Sequence, residues 1–242
     1  MLKRLSFFVY GSVSYLIFLA TFLYTIGFVG GFAVPTRLDA PAEGAVGGSL
    51  GIDLLLLTVF AVQHSVMARR GFKRWWMRIV PSQIERSTYV LCASVALILL
   101  VALWQPLGGI VWQVQRPAAI AAIYTVFALG WGLVLLATFL INHFDLFGLR
   151  QVWFALQDRP YVPVSLATPW LYRIVRHPLY LGFLMAFWAA PTMTVAHLVF
   201  AGVTTVYILV AIQLEERDLV AEHGVEYEDY SRRVPMLIPG TR

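Results

Sequence analysis

The sequence predicts an all-α fold, a polytopic bundle of membrane helices, and three observations carry that prediction. Of its 242 residues, 60% are hydrophobic and 13% charged, against about 25% charged in soluble domains. Apolar stretches long enough to cross a bilayer, about 20 residues each, recur along the chain. Lys and Arg gather in alternate connections between them. An ordinary soluble protein is excluded.

The first stretch, Phe7 to Val34, follows a basic start. Its apolar run is too long for a cleaved signal peptide and more spans follow, so it reads as a retained first helix. Leu50 to Met67, Tyr89 to Leu107 and Ala118 to Ile141 come next. The last run, Leu179 to Leu214, would extend about 54 Å as a single helix at 1.5 Å per residue. Pro191 cannot continue a regular helix, so a hairpin turning within "APTMTVAH" is expected, with two arms short for spanning segments. Five to six hydrophobic segments result, the last two a hairpin. Glu215 and Glu216 end its second arm, and an acidic amphipathic helix follows as a cytoplasmic tail. The glycine-rich "GAVGGSLG" lacks the G-x-G-x-x-G spacing of a nucleotide-binding turn and reads as a flexible connection.

Sixteen of the 18 basic residues fall at the N-terminus, in the 68–88 loop, in the 143–178 segment and in the tail. The positive-inside rule places these, with both termini, in the cytoplasm. The net charge of +5 then needs no nucleic acid to explain it. The single cysteine, Cys92, lies in an apolar run, which excludes a disulfide framework. One domain is expected over residues 1–242, with its cofactor-binding part at about 143–242. Faces this apolar also fit a homo-oligomer.

Three histidines stand at cytoplasmic ends of different apolar runs: His64 in "AVQHSVMARR", His143 in "INHFDLFGLRQ" and His177 in "RHPLYLGF". Ionisable groups at membrane depth usually face the bundle interior and mark a functional pathway. His64 or His143 alone would also suit the negative end of a helix dipole. None is paired with another at i+3 or i+4, the spacing that puts two metal ligands on one helix face, so no metal is expected. In "RHPLYLGF", Pro178 suits the first turn of a helix. Arg176 and His177 then stand beside free N–H groups that attract a carboxylate or phosphate. Gly182, one turn in, lets a ligand or another backbone approach. Tyr227 and Tyr230, three apart, share one helix face.

Taken together, "YRIVRHPLYLGF", "EERDL", "EYEDY" and "VPMLIPG" resemble the isoprenylcysteine carboxyl methyltransferase superfamily of membrane enzymes. The resemblance covers roughly the last 75 residues. "AVQHSVMARR" and "NHFDLFGLRQVW" extend it over most of the chain, toward the branch that methylates methanethiol to dimethyl sulfide; the "HSVMAR" segment is shared with NnrU proteins. The resemblance implies S-adenosyl-L-methionine as cofactor, contacted by His177, Tyr180, Leu181 and Gly182 with Arg176 in support. It also implies that Glu215 or Glu216 holds the ribose hydroxyls or balances the sulfonium, and that Tyr227 or Tyr230 closes the adenosyl pocket. Arg150 and Gln151 would line its entrance. The carboxyl methyltransferases carry an arginine one turn before the paired glutamates; here that place is Ala211, which favours a small neutral thiol over a carboxylate substrate.

A thiol attacks as its thiolate, so a base is expected: His143 or His64, with Asp145 orienting the imidazole. That pairing requires the helix to end near Asn142, because residues two apart on a helix diverge. A small apolar thiol partitions into lipid, so a lateral opening of the pocket is also expected. Competing readings are another thiol or carboxylate as substrate, an NADPH-dependent membrane reductase, and an NnrU-like protein without chemistry of its own.

Overall fold

The computed structural model describes residues 1–42, 46–164 and 169–241. In chain order its elements are α1 (Leu2–Gly30), α2 (Val46–Ala68), α3 (Arg70–Trp76), α4 (Ser82–Leu103), β1 (Ile110–Gln113), α5 (Pro117–Ile141), α6 (His143–Leu146), α7 (Leu149–Leu156), α8 (Pro178–Trp188), β2 (Thr192–Thr194), α9 (Val195–His223) and α10 (Val225–Arg233). A 3-10 turn at Trp170–Arg173 precedes α8. Helices α1, α2, α4, α5 and α9 are long and apolar enough to cross a membrane. The protein is an integral membrane, polytopic helical one.

Two readings of the sequence are corrected. The "GAVGGSLG" stretch is no flexible connection from Val46 onward: Gly47, Gly48 and Gly51 lie in α2. Gly44 and Ala45, like Arg242, lie outside the described residues. A glycine costs a helix about 1 kcal/mol, but an unpaired backbone group in hydrocarbon costs several, so a spanning helix absorbs its glycines. The second correction concerns the hairpin. Its arms are unequal, 11 residues in α8 and 29 in α9, and Glu215 and Glu216 lie inside α9 rather than at its end. Hydropathy changes at Leu214, yet glutamate is a good helix former and nothing in the backbone stops the helix before Gly224. There φ is +55°, a conformation glycine adopts readily, and the chain turns into α10.

The chain divides into two compact units. The first comprises residues 1–108 and 142–165, in which α1 packs on α4 and α7 and α2 packs on α4. Met67, Tyr89 and Val90 form a buried cluster there, against which Phe18, Phe72, Trp76, Cys92 and Phe147 pack. Asp53, fully buried in α2, accepts from Gln105 N–H at 2.8 Å and so fastens the chain leaving α4.

The second unit comprises residues 109–141 and 166–242. Its α5 and α8 meet at a pair of glycines: a Cβ on Gly182 would stand 2.7 Å from Gly130 O, and one on Gly130 2.7 Å from Ala186 N. Gly182 therefore admits another backbone, the second of the two roles open to it. The hairpin turns after Trp188 as expected, and β2 in the turn pairs antiparallel with β1, satisfying backbone groups that no helix holds. Thr194 caps α9 by accepting from His197 N–H at 3.1 Å. Ile208, Ile212 and Leu237 make the core that joins α9 to the chain after α10, with Tyr180, Leu181 and Met236 packed on it.

Candidate active site

In the second unit, the α8 start, α9 and α10 draw together the residues carried by the octet and the tail. Pro178 is the first residue of α8 and His177 its cap. The segment before it is stitched to the chain beyond α10 by two backbone bonds, Arg176 N–H to Pro235 O at 2.8 Å and His177 N–H to Met236 O at 3.1 Å. The Arg176 guanidinium continues the stitching. Its Nε donates to Glu216 Oε1 at 2.8 Å, and one terminal nitrogen donates to Ser231 O at 2.5 Å and Val234 O at 2.9 Å. Arg176 is thus a support of the site, engaged with the tail on several sides.

The two glutamates differ. Glu216 Oε1 meets both Arg176 and His177 Nε2, the latter at 2.9 Å. Glu215 Oε2 accepts from the Tyr180 hydroxyl at 2.9 Å, and among the described residues no ion pair neutralises it. A carboxylate held by a neutral phenol keeps its charge for a ligand; one held by a guanidinium has spent it.

Tyrosines surround this pair. Tyr227 and Tyr230 are buried on one face of α10 with ring centroids 5.7 Å apart. Tyr230 donates to Tyr172 O at 2.6 Å. The Tyr227 hydroxyl is buried with no hydrogen-bond partner among the described residues. Burial, and then the Glu216 charge, raise the Tyr227 pKa above the ordinary phenol value. Tyr172 is raised by burial and Glu215, and burial pushes Tyr230 up to about 12. All three remain hydrogen-bond donors near neutral pH. Tyr172 was not singled out from sequence, although it stands within "YRIVRHPLYLGF". Leu181 faces the apolar core with Ile208 and Ile212.

In the first unit, His64 and His143 each meet a tyrosine of another helix. The Tyr89 hydroxyl lies 3.0 Å from His64 Nε2, whose ring stacks on Phe60. The Tyr15 hydroxyl lies 2.8 Å from His143 Nε2. Phe18 and Phe147, stacked at 3.9 Å, pack beside Tyr89, and Tyr15 and His143 both touch Phe147. One aromatic cluster therefore connects the two pairs.

The Asp145 carboxylate, expected beside His143, is held by other partners. Helix α5 ends at Ile141 and Asn142 caps α6 by accepting from Asp145 N–H, as the expected pairing required. The Asp145 carboxylate turns instead to Arg150, at 3.0 Å, and to the Tyr161 hydroxyl, at 2.9 Å. A permanent cation and a phenol outbid a buried, neutral imidazole. Arg150 also donates to Val162 O at 3.0 Å, which straps the chain after α7 onto its start, and Gln151 donates to Asp145 O at 3.2 Å, which ties α7 to α6. Burial lowers the His143 pKa, which keeps the ring neutral at pH 7. An open groove of about 660 Å³ is lined by Phe8, Tyr15, Leu16, Phe144, Arg150 and Trp153, among others.

The hairpin and tail of this polytopic membrane protein enclose a polar, tyrosine-rich site, and the relatives that the chain resembles make it a membrane methyltransferase. No family model matches the sequence, and no solved structure does. The chain is 54% identical to the methanethiol S-methyltransferase of Mycobacterium tuberculosis, over 98% of both chains. It is 53% identical to that of Crocosphaera subtropica, over 98% of this chain and 93% of the relative. Nurim of Rattus norvegicus is 32% identical over 75% of this chain and 72% of its own length. The chain belongs to the methanethiol S-methyltransferase family.

Proposed function

We propose that this protein transfers a methyl group from S-adenosyl-L-methionine to methanethiol, giving dimethyl sulfide, as one domain of a bacterial inner membrane with both termini in the cytoplasm. The observation that carries the reading is the identity with methanethiol S-methyltransferases over nearly the whole chain. The basic connections support the orientation.

The residues of the second unit suit the methyl donor. Its methionine carboxylate fits the N-terminal turn of α8 beside His177 and Tyr180, where unpaired N–H groups and the helix dipole favour an anion. Glu215 offers an unneutralised carboxylate to the ribose hydroxyls or to the sulfonium. The orphaned Tyr227 hydroxyl is a donor awaiting an acceptor, and buried polar groups are rarely left without one. Tyr230 completes that wall. Arg176 and Glu216 hold the wall in place, and Leu181 and Gly182 seat α8. When bound, the donor supplies a methyl carbon attached to a positively charged sulfur.

His143 is the residue assigned to take the thiol proton, with His64 as the alternative; burial keeps His143 unprotonated and able to accept. Asp145, Arg150 and Gln151 secure the segment around it. The groove beside Tyr15 offers the apolar thiol an approach from lipid. The purified protein, given S-adenosylmethionine and methanethiol, is expected to release dimethyl sulfide, detected by headspace gas chromatography. Absence of product, with donor binding demonstrated, would overturn the substrate.

Tyr227→Phe separates a ligand-binding hydroxyl from a structural one. Removing a hydroxyl that bonds the donor weakens donor binding by about 5- to 10-fold, the worth of one hydrogen bond. Removing an unsatisfied buried hydroxyl leaves the ligand-free protein as stable as before or more so. The expected result is therefore weaker donor binding by calorimetry with an unchanged or raised melting temperature. A lowered melting temperature with unchanged binding would remove Tyr227 from the site.

A further inference from the structure

We propose that Tyr15 is a positioning residue for the reaction: its hydroxyl, 2.8 Å from His143 Nε2, fixes the orientation of the imidazole that takes the thiol proton. The proposal rests on the reading of His143 as that base.

A base must keep its partners while its own hydrogen-bonding character changes. A neutral imidazole has one donor and one acceptor nitrogen, and the imidazolium has two donors. A hydroxyl can serve either form, because it donates and accepts. For His143 the contact survives protonation when the Tyr15 oxygen accepts from Nε2–H, which leaves Nδ1 as the atom that receives the proton. The thiol S–H bond then breaks toward Nδ1, and its electron pair stays on sulfur to form the new bond to the methyl carbon while the bond from that carbon to the donor sulfur breaks, its pair leaving with the donor as a neutral thioether; the imidazolium later returns its proton to water.

The surroundings suit this role. His143 is only 5% exposed, and its ring stands edge-on to Tyr15, Phe144 and Phe147. Those walls restrict the ring, and the hydroxyl selects which nitrogen faces α1. Charged groups on the neighbouring elements have partners of their own. Arg86 of α4 donates to Leu146 O at 2.7 Å, and Asp145 of α6 pairs with Arg150 of α7 at 3.0 Å. Burial disfavours the imidazolium; an oxygen that accepts from Nε2–H offsets part of that penalty.

The test compares Tyr15→Phe, His143→Gln and the double variant for dimethyl sulfide formation across pH, with calorimetry of donor binding as the measure of an intact fold. For Tyr15→Phe the expected loss in kcat is about 5- to 10-fold, the worth of one hydrogen bond, with KM for the thiol within about twofold. Without the accepting oxygen, His143 becomes harder to protonate. The acidic limb of the kcat profile should therefore move to lower pH. In the His143→Gln background, Tyr15→Phe should add no further loss. Wild-type turnover in Tyr15→Phe beside an inactive His143→Gln would overturn the role of Tyr15 alone. The same loss in both backgrounds would make Tyr15 merely structural and also overturn it. Full turnover in His143→Gln would overturn the reading of the base itself.

Discussion

Arg176→Ala is expected to remove donor binding and lower kcat/KM by roughly 100-fold or more, because one guanidinium holds Glu216 and two carbonyls beyond it. Breaking a buried ion pair at one partner costs about 3–5 kcal/mol, and each tenfold in rate corresponds to about 1.4 kcal/mol. The pair is not fully enclosed, its side chains being 13% and 19% exposed, so the lower end of that range applies. Lysine should rescue little, since a single ammonium cannot reproduce the planar fork. Calorimetry with S-adenosylmethionine and a turnover assay check both effects. Activity within about threefold of wild type would show that the tail contacts do not build the site.

The second large effect is expected at Gly182. In Gly182→Val the new side chain would enter where a Cβ already lies 2.7 Å from Gly130 O and 2.9 Å from Val134 N. Both obstacles are backbone atoms of α5, so relief requires the helices to separate. Overpacking of this kind costs about 1–3 kcal/mol, occasionally more, and a β-branched residue cannot rotate away from it. The protein should accumulate poorly, and its melting temperature in detergent should fall by more than that of Gly182→Ala. A different result, normal stability with loss of donor binding, would make Gly182 a cofactor contact instead of a packing position.

Hydropathy made the spanning helices legible, and proline made the hairpin so. Pro191 and Pro178 restrict backbone conformation locally, and local restrictions are visible in a sequence. The octet and the paired glutamates were legible for a related reason, since a helix start with Arg, His and Pro is a local chemical signal. Hydropathy misled where it diverged from helix propensity: α9 runs past Leu214 because charge does not end a helix. The pairing of β1 with β2 joins residues 84 apart, Ile110 and Thr194, with no local cue. Tyr15 and His143 are 128 residues apart, and no spacing rule could match them. Asp145 lies close to His143 in sequence, and the partners that hold its carboxylate, Arg150 and Tyr161, came from no spacing rule.

The short α8 has a consequence for how the protein is made. Eleven residues span about 16 Å as a helix, roughly half of a hydrocarbon core of about 30 Å. As it leaves the ribosome, α8 alone is a poor substrate for membrane integration, and the longer α9 must draw it in as a hairpin. Arg176 then waits through 58 residues of further translation for the carbonyl of Val234. A polypeptide arrested late in that interval can hold every spanning helix and still lack the tail contacts of Arg176. Membrane insertion and docking of the tail are consequently separate events in biogenesis, and a protease that recognises an undocked tail could tell finished molecules from unfinished ones.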